Sequence, residues 1–135
     1  MEPAVAIPAF YAGLHALLML GLAYNVGSRR GAQNQLQPGD MGDAVLTRAV
    51  RTHGNYAEYA PMVLLLLLLL GLIGVPPMWL HLYGGLFTAG RVIGAFGMMR
   101  EKHPNALRFT GNAVTGLALL VGGLVLIFHA LPALG

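Results

Sequence analysis

The sequence predicts an all-α membrane protein, a bundle of four transmembrane helices forming one domain over residues 1–135. Three observations carry that prediction. Charged residues make up 10% of the chain, against about 25% in soluble domains, while 56% are apolar and the mean hydropathy is +0.66. Four apolar segments reach the about 20 residues that crossing the hydrocarbon requires. Every Lys and Arg falls at or near the connections that follow the first and third of them.

The segments are expected at about 5–26, 44–73, 77–99 and 104–131. The first ends against Gly27, Ser28, Arg29 and Arg30. It lacks a basic leading region and exceeds the usual 7–15 apolar residues of a signal peptide, so it reads as a span. Gly31–Asp43, rich in Gly, Pro, Asn and Gln, reads as a polar cytoplasmic loop. The second span holds the unbroken Leu64–Leu70 run, and Pro61 is expected to kink it. Pro77 and Pro104 suit the first position of the third and fourth helices, where a missing N–H costs nothing. Helices are required because backbone groups in lipid must pair within a segment or a closed barrel. These runs are far too long for barrel strands.

Charge placement sets an orientation. The cations are Arg29, Arg30, Arg48, Arg51, Arg91, Arg100, Lys102 and Arg108. The amino terminus, the Gly74–Pro77 turn and the tail after Arg108 have none. The positive-inside rule puts loops 1–2 and 3–4 in the cytoplasm and both termini outside. The net charge of +3 does not imply nucleic acid, because there is no basic run and few polar residues to line a groove. With no cysteine, disulfides, thiolate nucleophiles and cysteine–metal sites are excluded. His15, His81 and His129 are scattered without metal-ligand spacing, so they and Asn25 read as interhelical or interfacial groups. Trp79, Tyr83 and Tyr11 read as an outer aromatic belt.

The second span holds the most informative pattern. Arg48, Arg51, Asn55 and Glu58 stand at offsets 0, 3, 7 and 10, one face of a helix, with Tyr59 beside Glu58 and His53 on a neighbouring strip. Ionisable groups inside a span usually face the bundle interior or a watery cavity. An Arg51–Glu58 pair that merely aids packing is the simpler reading of part of this stripe. Arg91, however, lies nine residues before Arg100, about 13 Å below the loop at 1.5 Å per residue. It therefore needs an anionic partner, either Glu58 or a bound ligand. Arg51 and Arg91 against Glu58 suit a ligand with carboxylates and an amine.

Arg51-Thr-His53-Gly-Asn55-Tyr-Ala-Glu58-Tyr59-Ala-Pro61 resembles the R-x-H/Q-x-N-x-x-E-Y-x-P signature of the MAPEG family, the membrane-associated proteins of eicosanoid and glutathione metabolism. Arg29-Arg30, Gly90-Arg91 and Gly97 are similar too, and the likeness spans essentially the whole chain, closest to the short bacterial branch. The resemblance implies a homotrimer in the bacterial inner membrane, with glutathione sites at subunit interfaces near the cytoplasmic side. By motif position Arg51, Asn55, Glu58 and Tyr59 would bind the peptide, Glu58 taking the glutamyl amine. Arg51 and Arg91 would face carboxylates or the thiol, and Arg30 and His53 would come from a neighbouring subunit. Arg108, or alternatively Arg100, would be the catalytic arginine that stabilises the thiolate. The implied partners are glutathione as substrate, a lipophilic small molecule or lipid, membrane lipids and the chain's own copies, with no metal and no nucleic acid.

Two departures matter. Active transferases of the family carry tyrosines three and seven residues after the helix-three arginine; here those positions are Gly94 and Met98. Glutathione binding is thus better supported than catalysis. The expected function is a glutathione S-transferase or peroxidase acting on lipophilic electrophiles or lipid hydroperoxides. A non-catalytic lipid- or glutathione-binding scaffold is the alternative, and a small anion transporter a third reading. Gly90, Gly94 and Gly97 form a small face suited to close helix packing, although Gly94 would also widen a substrate pocket. Gly111–Gly116 has the glycine spacing of a phosphate loop without the following Lys-Ser/Thr. It is assigned, with Gly122 and Gly123, to helix packing.

Overall fold

The computed structural model describes residues 2–34, 43–101 and 105–135. Four helices follow one another: α1 (Pro3–Ala32), α2 (Ala44–Leu72), α3 (Pro77–Met99) and α4 (Ala106–Ala130), closed by a 3₁₀ turn at Leu131–Ala133. The contacts set their directions. The Ala4 carbonyl lies against Gly71, so α1 and α2 are antiparallel. Tyr11 meets His81 and His15 meets Thr88, so α1 and α3 are parallel. Gly90 faces Val114 and Gly97 faces Arg108, so α3 and α4 are antiparallel. Among the described residues α1 and α4 do not pack together.

This topology gathers Arg29, Arg30, Arg48, Arg51, Arg100 and Arg108 at one end of the bundle; Lys102 lies outside the described residues. α1, α2 and the α4 segment Ala106–Ala133 are long and apolar enough to cross a membrane. α3 is less apolar because its glycines, His81 and Arg91 interrupt the run. Its buried face (Leu80, Gly84, Phe87, Gly90, Arg91, Gly94, Gly97) keeps Arg91 and four of the glycines inside the bundle, whereas His81 is exposed.

Helix ends follow local chemistry. α1 continues past Gly27-Ser28-Arg29-Arg30 to Ala32. Arg29 Nε donates to Asn25 Oδ1 at 2.9 Å one turn earlier, and cations in a last turn favour the negative end of the helix dipole. α4 begins at Ala106, later than a Pro104 start would place it. The Asn105 side chain caps α4, its Oδ1 accepting the Arg108 N–H at 3.0 Å; Pro104 lies outside the described residues. α2 ends in a Schellman turn, with the Val75 N–H bonded to the Leu70 carbonyl at 3.1 Å. That turn needs a positive φ, which Gly74 supplies at 86°. Pro61 lies within α2 without interrupting it.

Asp43 caps α2, its Oδ1 accepting the Leu46 N–H at 2.8 Å. That bond chiefly holds the Asp43 carboxyl below its ordinary value of 3.8, helped by Gln33. A depressed value in the folded state means the cap stabilises α2 fully above the ordinary carboxylate range. The contribution is lost as pH falls through the folded value. Asp43→Asn keeps a capping oxygen without a titrating proton, so its thermal midpoint should vary less than wild type's across the acid limb. Parallel acid limbs in circular dichroism melts would refute this.

The small face works as a seam. A Cβ on Gly111 would lie 2.4 Å from Gly94 Cα, one on Gly90 2.7 Å from Val114, and one on Gly97 2.3 Å from the Arg108 nitrogen. Gly94 is therefore filled by α4 backbone and opens no pocket, which corrects that part of the sequence expectation. Gly122 also packs closely, against Tyr83 and Leu66, whereas Gly116 and Gly123 face open space. The aromatic belt is corrected as well. Trp79 is exposed, but Tyr11 is buried and Tyr83 half-buried. Both turn inward to donate to carbonyls, Tyr11 to His81 at 3.0 Å and Tyr83 to Ala118 at 2.9 Å. A phenol in an apolar bundle needs a partner, and a neighbouring helix supplies one.

Candidate functional site

The site is built on α2, α3 and α4 around Arg91. Its side chain is buried, 3% exposed. Nη2 donates to Asn55 Oδ1 at 2.9 Å on α2 and Nη1 to Thr115 Oγ1 at 3.4 Å on α4. The guanidinium carbon sits 5.1 Å from the centre of the Tyr56 ring. Nε has no partner. Thr115 in turn donates to the Gly111 carbonyl at 2.9 Å, which leaves its oxygen as the acceptor for Arg91.

Glu58, one of the two anionic partners that the sequence allowed for Arg91, is exposed and makes no ion pair among the described residues. The Arg51–Glu58 pair is not formed either. The described ion pair joins Arg48 Nη2 to Glu101 Oε1 at 3.5 Å, with Glu101 largely in solvent. A pair so exposed contributes at most about 1 kcal/mol. Arg91 is thus a buried cation held by neutral oxygens and an aromatic face.

Asn55 and Thr115 also border a groove of about 220 Å³ between α2 and α4, lined by Asn55, Tyr59, Asn112, Thr115, Gly116 and Leu119. Gly116, with no neighbour near its Cα, keeps the groove wall low. A larger groove of about 350 Å³ between α1 and α2, lined by Val5, Pro8 and Leu64 among others, presents almost no polar surface to orient a ligand.

Asn55, Tyr59 and Arg91 therefore come together. Arg51 and Glu58 stand exposed on the same strip of α2, Arg51 toward the end where the cations gather and Glu58 at the middle of the helix. Arg108 is exposed four residues before Asn112, on the α4 strip that lines the groove. Arg100 is the exposed C-cap of α3 and is not among the groove's lining residues. Arg30 and His53 are half-buried and are not among the groove's lining residues.

Sequence reasoning missed Asn112, Thr115 and Tyr56. Asn112 and Thr115 had a usable signal: two polar residues three apart on one face of an otherwise apolar span. Tyr56 had none, because its neighbours on α2 do not show that its ring lies under a cation from α3.

The scan of protein families finds the MAPEG family model matching residues 8–128. The chain belongs to the MAPEG family. This MAPEG protein is 32% identical over 117 residues to the inner membrane protein YecN of Escherichia coli strain K12, covering 85% of this chain and 86% of that protein. The protein of the same name from Escherichia coli O6:H1 gives the same figures. Together with the apolar helices, these relatives establish an integral membrane protein whose relative resides in the inner membrane.

Proposed function

We propose that this MAPEG protein binds glutathione in the bacterial inner membrane and activates its thiol as a glutathione S-transferase or peroxidase. The observation that carries the reading is Arg91: a buried cation whose neutral partners Asn55 and Thr115 line a polar groove and whose Nε is unpaired among the described residues. Desolvating a cation costs several kcal/mol, which hydrogen bonds to neutral groups at best balance. An anionic ligand offsets it. Glutathione carries two carboxylates and one amine, matching Arg51 and Arg91 for the carboxylates and Glu58 for the amine. In a chain embedded in lipid, exposed Arg51, Glu58 and Tyr59 also favour a covering second copy, consistent with a homotrimer that brings in Arg30 and His53. Cytoplasmic loops 1–2 and 3–4 with periplasmic termini would face the basic end toward glutathione.

In that arrangement Arg108, in the first turn of α4, and the helix's N-terminal dipole favour the ionised thiol. The thiol proton leaves to water. The thiolate forms a C–S bond with a lipophilic electrophile and displaces its leaving group. Alternatively it attacks a hydroperoxide oxygen, yielding the lipid alcohol and a sulfenic acid that a second glutathione converts to disulfide and water. Glutathione is the reagent, and no metal enters either route.

A non-catalytic glutathione- or lipid-binding scaffold is favoured by one observation. Gly94 and Met98 supply no hydroxyl from α3, and Gly94 is sealed against Gly111. The anion-transporter reading would need flux across liposomes.

The test is a glutathione titration of wild type against Glu58→Gln. Loss of the amine's partner should weaken binding by about tenfold, the effect of 1.4 kcal/mol. Unchanged affinity would remove the site assignment. Turnover of an aryl halide or cumene hydroperoxide separates the transferase or peroxidase from a scaffold, which would bind saturably without turnover.

A further inference from the structure

The geometry points to Tyr56 as a positioning residue that fixes the Arg91 guanidinium for its anionic ligand, and to His15 as the group that fixes Tyr56. This deepens the glutathione reading and rests on it for the binding measurement.

Tyr56 and His15 are each 2% exposed. Thr88 Oγ1 donates to the Gly84 carbonyl at 2.7 Å, so toward His15 it is the acceptor. His15 Nε2 then carries the hydrogen and donates to Thr88 at 3.1 Å. Nδ1 is left as an acceptor, and the Tyr56 hydroxyl lies against it, with the His15 carbonyl oxygen a second acceptor at 3.3 Å. The His15 ring is pinned in turn, stacked on Phe87 at 4.9 Å between centroids and 9° from parallel.

A chain of hydrogen bonds thus runs from α3 through α1 to α2 and ends on the ring that faces Arg91. Asn55 and Thr115 hold the edge of the guanidinium, and Tyr56 holds its face. An edge held from two sides still permits tilting about the line joining them; a ring against the face removes that freedom. The buried guanidinium, with its Nε unpaired among the described residues, is then held in one orientation. Desolvation strengthens a cation–π contact of this kind.

The experiment combines glutathione titration with nuclear magnetic resonance of the protein in detergent, labelled with 15N-arginine. The Arg91 Nε–H signal is identified by its disappearance in Arg91→Lys. Tyr56→Leu should weaken glutathione binding by about tenfold and Tyr56→Phe by about threefold. His15→Leu should lower affinity by no more than Tyr56→Phe, since the residue-15 carbonyl remains as an acceptor, and the two combined should lose no more than Tyr56→Phe alone. In an Arg91→Lys background, where no planar face remains to be held, Tyr56→Leu should cost nothing more.

The Arg91 Nε–H signal should be narrow in wild type and shifted or broadened in Tyr56→Phe, a variant that conserves packing volume. Equal losses in both Arg91 backgrounds, or superposable Arg91 signals in wild type and Tyr56→Phe, overturn the inference. If wild type binds no glutathione, the functional reading fails, while the resonance comparison still decides the role of Tyr56.

Discussion

Arg91→Leu should weaken glutathione binding at least about thirtyfold yet leave the bundle about as stable as wild type. The two effects have one origin. Removing one partner of a buried, hydrogen-bonded charge pair across an interface costs about 2–5 kcal/mol, and the low end of that range is a factor of about thirty. Without ligand the terms nearly cancel. Among the described residues Arg91 donates to Asn55 and Thr115, its face meets the Tyr56 ring, and Nε has no partner. Hydrogen bonds involving a charged group contribute about 1.5–3 kcal/mol each and a desolvated cation–π contact about 2 kcal/mol, close to a desolvation cost of several kcal/mol per ion. Leucine removes both sides of that balance. It strands little, because Thr115 retains its bond to the Gly111 carbonyl and Asn55 borders the open groove. Thermal melts and glutathione titrations on the same preparation check both halves. A large fall in melting temperature with unchanged affinity would show that Arg91 serves the fold and not a ligand.

Gly111→Ala should destabilise the protein by about 1–3 kcal/mol, the range for overpacking a close-fitted core, with the upper part favoured here. The new Cβ would lie 2.4 Å from Gly94 Cα and 2.7 Å from both the Gly90 carbonyl oxygen and the Gly94 nitrogen. All three are backbone atoms, so no side chain can swing aside and α3 and α4 must separate. That separation also draws Thr115, one turn along α4, away from Arg91, and glutathione affinity should fall with stability. Gly123→Ala is the control on the same helix. Its Cβ meets nothing within 4 Å, and alanine gains up to about 1 kcal/mol of helix propensity over glycine. Equal melting temperatures for the two variants would refute the tight seam.

The stability expected of Arg91→Leu and the fragility expected of Gly111→Ala mark how the fold and the site divide. The four helices were legible because lipid demands long, internally paired segments, and their lengths are written in runs such as Leu64–Leu70. Their ends were less so. α1 overran its basic residues, and α4 took its start from Asn105, since capping is a local hydrogen-bond competition that hydropathy does not register. Within the site, Asn55 and Arg91 stand together as a stripe reading allows, while Glu58, one of two partners offered for Arg91, makes no ion pair among the described residues. Periodicity places Glu58 and Asn55 on one strip. It does not say which of them faces α3.

The sequence by itself determined that this is a four-helix membrane protein of the MAPEG family with its cations gathered at one end. A 3.6-residue period, apolar length and Lys/Arg position are properties of single segments. Only the tertiary structure decided that Arg91 is held by Asn55, Thr115 and the Tyr56 ring, and that Gly94 seals a seam where it might have opened a pocket. Those facts depend on the rotation of each helix about its axis, which close contacts such as Gly94–Gly111 and the His15–Tyr56 bond fix across long separations in the chain.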